Sequence, residues 1–63
     1  MDRYTYSGPV EDIFGNCLDR YFKAETVAVN SARARSNISY QWRQKMHYPK
    51  TYPIKLVGKL TKE

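Results

Sequence analysis

The stretch 30–48, NSARARSNISYQWRQKMHY, is the only run in this chain long and regular enough to form a helix, and it limits what the remainder can pack against. At about 100° per residue, Ala34, Ile38, Trp42 and Met46 fall within an arc of roughly 120°, the width of a core-facing stripe. The opposite arc holds Arg33, Ser36, Tyr40, Arg43, Gln44 and His47, a basic face rich in hydrogen-bonding groups. Asn30 or Ser31 can accept from an orphan amide at the start, so the spacing predicts a helix over about 31–47.

Around this helix, short runs alternate in the manner of strands. In RYTYS, Tyr4 and Tyr6 share one face and Arg3, Thr5 and Ser7 the other. Gly8 and Pro9 follow. Because Pro9 has no N–H to give a ladder, the chain is expected either to bulge there on an edge strand or to turn before Val10. Residues 10–22 admit two readings. Ile13, Phe14, Cys17, Leu18 and Phe22 have helical spacing, but Gly15 and Asn16 sit where a turn suits them better, which favours a strand ending near Phe14, a loop and a return strand. The return, 21–29, sets Phe22, Ala24, Thr26 and Ala28 on one face and Tyr21, Lys23, Glu25, Val27 and Val29 on the other. Both faces are mixed, which leaves the inward side open, although small Ala24 and Ala28 would let a helix approach closely.

After Pro49 and Pro53, Ile54, Leu56 and Leu60 oppose Lys55, Val57 and Lys59 in parity, giving a last strand with one apolar and one mostly cationic side. The expected fold is α+β, a single small domain over 1–63 in β-β-α-β order, with an antiparallel-rich sheet and the helix packed on one face. The other sheet face is expected to be open, carrying Lys55 and Lys59 and with room for the tyrosines of the first strand.

A domain this small buries only about 60% of the surface that its unfolded chain exposes. A core so thin supplies roughly 3 to 5 kcal/mol, which favours dimerisation or capture of a partner over a strained catalytic cleft. Six tyrosines suit a thin core and an interface equally, since each buries a ring while its hydroxyl stays wet. Cys17 is the lone cysteine, so no intramolecular disulfide or multi-cysteine zinc site is available; it reads as a small core residue in a reducing, cytoplasmic setting. No apolar run approaches the ~18 residues of a membrane span, and Met1 opens directly into Asp2 and Arg3 rather than into a signal peptide. The mature protein is therefore expected to be the whole chain, with no membrane partner. Glycine-rich phosphate loops, nucleophile elbows and a second histidine are all lacking, so no enzymatic activity, metal, cofactor or small-molecule substrate is expected.

The formal net charge is +5, and its distribution is uneven. Residues 1–29 hold three basic and five acidic side chains, whereas residues 30–63 hold eight basic and one acidic. A one-sided basic surface attracts polyanions. Arg33 and Arg35 occupy the first turns of the helix, where the macrodipole disfavours cations by up to about 1 kcal/mol each. Together with the amides of Ala32 and Arg33 they would form an anion site; the competing reading is that Arg35 pairs with Glu25 or Asp19. Tyr40, Arg43 and His47 follow on the outward face, and an aromatic interleaved with cations can stack a base while holding phosphates. His47 by itself suits the negative end of the helix. The candidate contact residues for nucleic acid or another partner are thus Arg33, Arg35, Tyr40, Arg43, His47, Lys50, Lys55 and Lys59.

Three segments carry a resemblance: YTYSGPV at 4–10, TVAV at 26–29 running into ARARSNISYQ at 32–41, and IKLVGKL at 54–60. Together they resemble a group of very small phage and prophage proteins of low-GC Gram-positive bacteria, over nearly the whole chain. The resemblance implies viral origin and an accessory role in the cytoplasm of an infected or lysogenic host, and no mechanism. A weaker likeness, confined to a strand followed by an Ala- and Arg-bearing helix, is to double-stranded RNA-binding domains, whose first helix this chain lacks. Two functions are expected from these features. The first is non-enzymatic binding of nucleic acid or a host nucleoprotein complex through phosphate contacts. The alternative is inhibition of a host defence system by protein–protein contact, with a homodimer compatible with both.

Overall fold

The computed structural model describes all residues, 1–63, and contains strands β1 (Asp2–Asp12) and β2 (Cys17–Ala28), helix α1 (Ser31–Met46), and strands β3 (Ile54–Leu56) and β4 (Lys59–Lys62). All pairings are antiparallel: β1 is central, with β2 on one side and β3 and β4 sharing the other. The α+β class and strand–strand–helix–strand order follow the sequence reading, with the last strand broken into two segments.

Those two segments keep one register. Leu56 lies opposite Val10 and Leu60 opposite Tyr6, so the break falls where Val57 and Gly58 face Pro9 and Gly8. On the other side, β2 slips at the same place, taking three steps from Phe22 to Asp19 while β1 takes two from Gly8 to Val10. Pro9 therefore sits where both neighbouring ladders are interrupted, and its missing N–H leaves neither one unsatisfied. The expectation of an edge strand at Pro9 is corrected on this point: the bulge is present, but the strand is the central one.

Tyr6 closes the gap. Its side chain is fully buried, and its hydroxyl donates to the Pro9 carbonyl at 2.6 Å and accepts from the Gly58 N–H at 2.7 Å, supplying the bonds that the broken ladder omits. Burial pushes the Tyr6 phenol above its ordinary range, against the lowering effect of the Gly58 N–H and of the Arg35 charge. Tyr4 and Tyr6 both lie beneath the helix, not on the open face where room was left for them. Their parity makes this necessary, because Val10, on the same face as Tyr6, belongs to the same core.

The core consists of Tyr6, Val10, Phe22, Ile38 and Trp42, flanked by a smaller group of Tyr4, Ala28 and Ala34, with Leu60 packed against both. The small pair Ala28 and Ala34 packs at one end of the helix–sheet layer, and the large Trp42 ring belongs to the main cluster toward the other. Ala24 and Ala28 do face the helix, as their small size suggested, and Phe22 faces it with them. The Trp42 indole N–H donates to the Asp19 carboxylate at 3.1 Å, and the slips in β2 near Asp19 accompany this placement.

Three helix residues expected in the core are buried; Met46 is not, at 39% exposed. It is the last helical residue. His47 follows with a left-handed φ of 61°, the N–H of Tyr48 turns back to the Arg43 carbonyl, and the Tyr48 ring meets Trp42 edge-on at 4.9 Å. Tyr48 covers Trp42 through this Schellman-type ending. At the other end Asn30 is the cap, its side-chain oxygen accepting from the Arg33 N–H at 2.8 Å.

Residues 10–22 resolve as strand, turn and strand. Asp12 organises the turn: its carboxylate accepts from the N–H of Phe14, the N–H of Asn16 and the Asn16 side-chain amide at 2.8 to 3.0 Å. These donors, Asn16 first, hold the Asp12 carboxyl below the usual range. Gly15 completes the turn at φ 88°. Cys17 is exposed at the start of β2 and is no core residue, because Leu18 takes the inward place beside it. No helix is long and apolar enough to cross a membrane.

Candidate polyanion-binding surface

From Asn30 to Lys62 the chain contains no acidic residue, and within 30–53 five Lys or Arg side chains and His47 are carried by α1 and the loop that follows it. One ion pair forms in the whole molecule, Asp2 to Lys62 at 3.4 Å, so none of the cations of α1 or its loop is neutralised by an acid in contact. The structure divides the candidate residues among three roles.

Arg35 and Arg43 are turned to structural use. The Arg35 guanidinium donates to the Leu56 carbonyl at 3.1 Å, pinning α1 to β3, and neither Glu25 nor Asp19 pairs with it. Arg43 is half-buried, and its Nε donates to the Tyr52 carbonyl at 2.7 Å, holding the loop 47–53 against the helix. The rings of Tyr52, Tyr48 and Trp42 then stack edge to face in series. Both arginines keep their charge near the surface, yet each has spent a guanidinium hydrogen bond on backbone.

Arg33, Tyr40, His47 and Lys50 lie on the outward side of α1 and its loop. All four are exposed, and the Lys50 ammonium lies 6.0 Å from the centre of the Tyr40 ring. Gln44 donates to the Tyr40 hydroxyl at 2.9 Å, fixing the ring one helical turn from its neighbour. Arg33 stands alone at the first turn, since the Arg33 amide is used by the Asn30 cap and Arg35 points to β3. The compact anion site expected there from two guanidiniums and two amides is not assembled. What remains is an extended cationic and aromatic strip running along the helix.

Lys55 and Lys59 lie on the opposite side of the sheet. Their inward neighbours Leu56 and Leu60 pack on the core, so the two lysines point to the open face. That face also carries Arg3 and Lys23, but Glu11 stands across from Lys55, Glu25 lies two residues from Lys23, and Glu63 accepts from the Thr5 hydroxyl at 2.7 Å. Acids and bases alternate there, and the face is close to self-compensating. The sequence reading placed these two lysines on the open face while counting them with the helix residues as candidate contacts, and the sheet keeps the two sets on opposite sides.

Lys45 was missed. Its Nζ lies 5.4 Å from the Phe22 ring at the end of the helix, a position that its helical phase on the β2 side, beside Gln41, implied. A shallow groove of about 270 Å³ lies between the end of β2 and the start of α1, lined by Met1, Val27, Ala28, Val29, Arg33 and Asn37, with Arg33 its single ionisable side chain. No group of three His, Cys, Asp or Glu side chains is placed to hold a metal. Comparison with protein-family models, with curated proteins and with solved structures finds no match.

Proposed function

We propose that the protein is a non-enzymatic binding module for nucleic acid, alone or within a nucleoprotein complex, and that α1 with its following loop is the contact surface. The observation that carries this reading is the complete lack of acid in α1 and its loop, residues 30–53, set against the mixed open face of the sheet. A cationic strip with no internal counter-charge keeps its potential outside the molecule, and phosphate oxygens answer it. Arg33 and Lys50 are the phosphate contacts, Tyr40 offers an exposed ring to a base or sugar, and the exposed His47 lies beside them at the end of the helix. Nothing along this strip reads base edges as a pair of fixed donors would, so binding is largely indifferent to sequence. The resemblance to small phage and prophage proteins fits an accessory role of this kind in an infected host.

The test is binding of fluorescent random-sequence duplex DNA, single-stranded DNA and RNA by anisotropy at roughly 50 and 200 mM salt. The reading expects binding at low salt that weakens steeply across this range. No binding at the low end would overturn it and leave inhibition of a host protein as the function to pursue, by capture from host lysate.

A further inference from the structure

β2 lies at the end of the sheet and has one edge free. The Glu63 N–H donates to the Arg3 carbonyl, so Arg3 turns its backbone groups toward β4 and away from β2. Arg3 lies opposite Val27, Thr5 opposite Glu25 and Ser7 opposite Lys23. By the alternation of an antiparallel ladder, Val27, Glu25 and Lys23 therefore direct their own N–H and C=O groups outward, along an edge with no neighbour. The side chains of these residues and of Tyr21 lie on the open face, where Tyr21 is 63% and Val27 50% exposed. Two groups reach the edge from the same molecule: the Gln41 side-chain amide donates to the Glu25 carbonyl at 3.0 Å, and at the far end of the segment the Asp19 carboxylate accepts from the Tyr21 N–H at 3.2 Å. Gln41 is itself exposed, and a carbonyl oxygen accepts a second bond.

We propose that the protein forms a two-fold homodimer in which β2 pairs antiparallel with β2 of a second copy, centred on Ala24. In that register Lys23 stands opposite Glu25 of the other copy, twice by symmetry, and Tyr21 stands opposite Val27. Each Lys23–Glu25 pair exchanges backbone bonds and opposes unlike charges, while the exposed ring of Tyr21 covers the exposed Val27. Moving the register by two residues either way sets Lys23 against Lys23 or Glu25 against Glu25, so charge selects this register over its neighbours. The two sheets become one, and both α1 helices lie on the same side of it. The pairing stands independently of nucleic-acid binding.

The test uses the full chain, with sedimentation equilibrium over a range of concentrations and circular dichroism to confirm the fold of each variant. Wild type is expected to dimerise, and Lys23→Glu or Glu25→Lys alone to weaken association by about tenfold or more, because each substitution opposes like charges at both symmetric positions. An equimolar mixture of the two single variants is expected to regain the dimer, since one then presents two acids to the two bases of the other. Both variants keep a net positive charge, so general attraction does not explain that recovery. A monomeric wild type, single variants that associate like wild type, or a mixture no stronger than its components would each overturn the proposal.

Discussion

Gly8 and Gly58 face each other across the break in the last strand so closely that a Cβ on Gly8 would lie 2.5 Å from the Gly58 Cα. Gly8 also holds φ at 142°, which side-chain-bearing residues rarely adopt. The obstacle is backbone on both sides and cannot swing away. Gly8→Ala is expected to destabilise the fold by about 3 kcal/mol or more, close to the whole stability of so thin a core, and Gly58→Ala to act similarly. Thermal melts followed by circular dichroism check this. A cooperative transition within a few degrees of wild type for either variant would contradict the close contact.

Tyr6→Phe keeps the buried ring and removes the hydroxyl, leaving the Pro9 carbonyl and the Gly58 N–H without their partner. The expected loss is about 2 kcal/mol in urea denaturation. The phenol also titrates differently in the two states. Its pKa is raised on folding, so its contribution is fully present below the ordinary phenol value of about 10 and is lost as pH rises toward the folded value. Wild type is expected to lose stability above that pH more steeply than Tyr6→Phe, and equal slopes would rule out the buried hydroxyl as the cause.

Asp12 works in the acid direction. Its pKa is lowered on folding by the Asn16 and Phe14 donors, so its stabilisation is present above the unfolded carboxyl value of about 3.9 and disappears as pH falls through the folded value. Asp12→Asn cannot accept from the Asn16 amide in the same way and does not titrate. Urea midpoints measured from pH 2 to 7 are expected to fall less steeply toward acid in the variant. A variant as acid-sensitive as wild type would place the acid transition elsewhere.

The helix was legible because its pattern is local. Ala34, Ile38 and Trp42 repeat every four residues, and an Asn precedes the run, so stripe and cap follow from the chain alone. Met46 was misplaced because the end of the stripe is decided by Tyr48 folding back onto Trp42, which a periodicity does not encode. Pro9 argued for an edge by the usual rule, and a central strand tolerates it because both flanking ladders break beside it. Arg43 looked free on a helical projection, and Arg35 was read as part of an anion site or as a partner of Glu25 or Asp19; both donate instead to carbonyls beyond the helix, those of Tyr52 and Leu56, which a helical projection does not contain. The parity of Lys55 and Lys59, and their place on the face away from the helix, were legible because Ile54, Leu56 and Leu60 alternate with them and claim the core side.

Arg33 and Arg43 carry the same charge on one helix and are expected to respond differently to removal. Arg43→Ala loses the bond to the Tyr52 carbonyl and the packing of its stem, at a cost of about 1 to 2 kcal/mol in stability. Arg33→Ala removes an exposed side chain that makes no hydrogen bond and only borders the shallow groove beside β2, and it keeps the backbone N–H that Asn30 caps, so its melting temperature is expected to stay at the wild-type value. Reversal of that order would mean that the loop is not held by Arg43.

The central claim is that the helix side, and not the open sheet, meets the polyanion. The most direct measurement is the dependence of log affinity on log salt concentration for random duplex DNA, compared between Arg33→Ala/Lys50→Ala and Lys55→Ala/Lys59→Ala. Each lost phosphate contact flattens the slope by about 0.9. The helix-side pair is expected to flatten it by roughly 2 and the sheet-side pair to leave it unchanged. An unaltered slope for the helix-side pair, or an equal flattening by the sheet-side pair, would contradict the account.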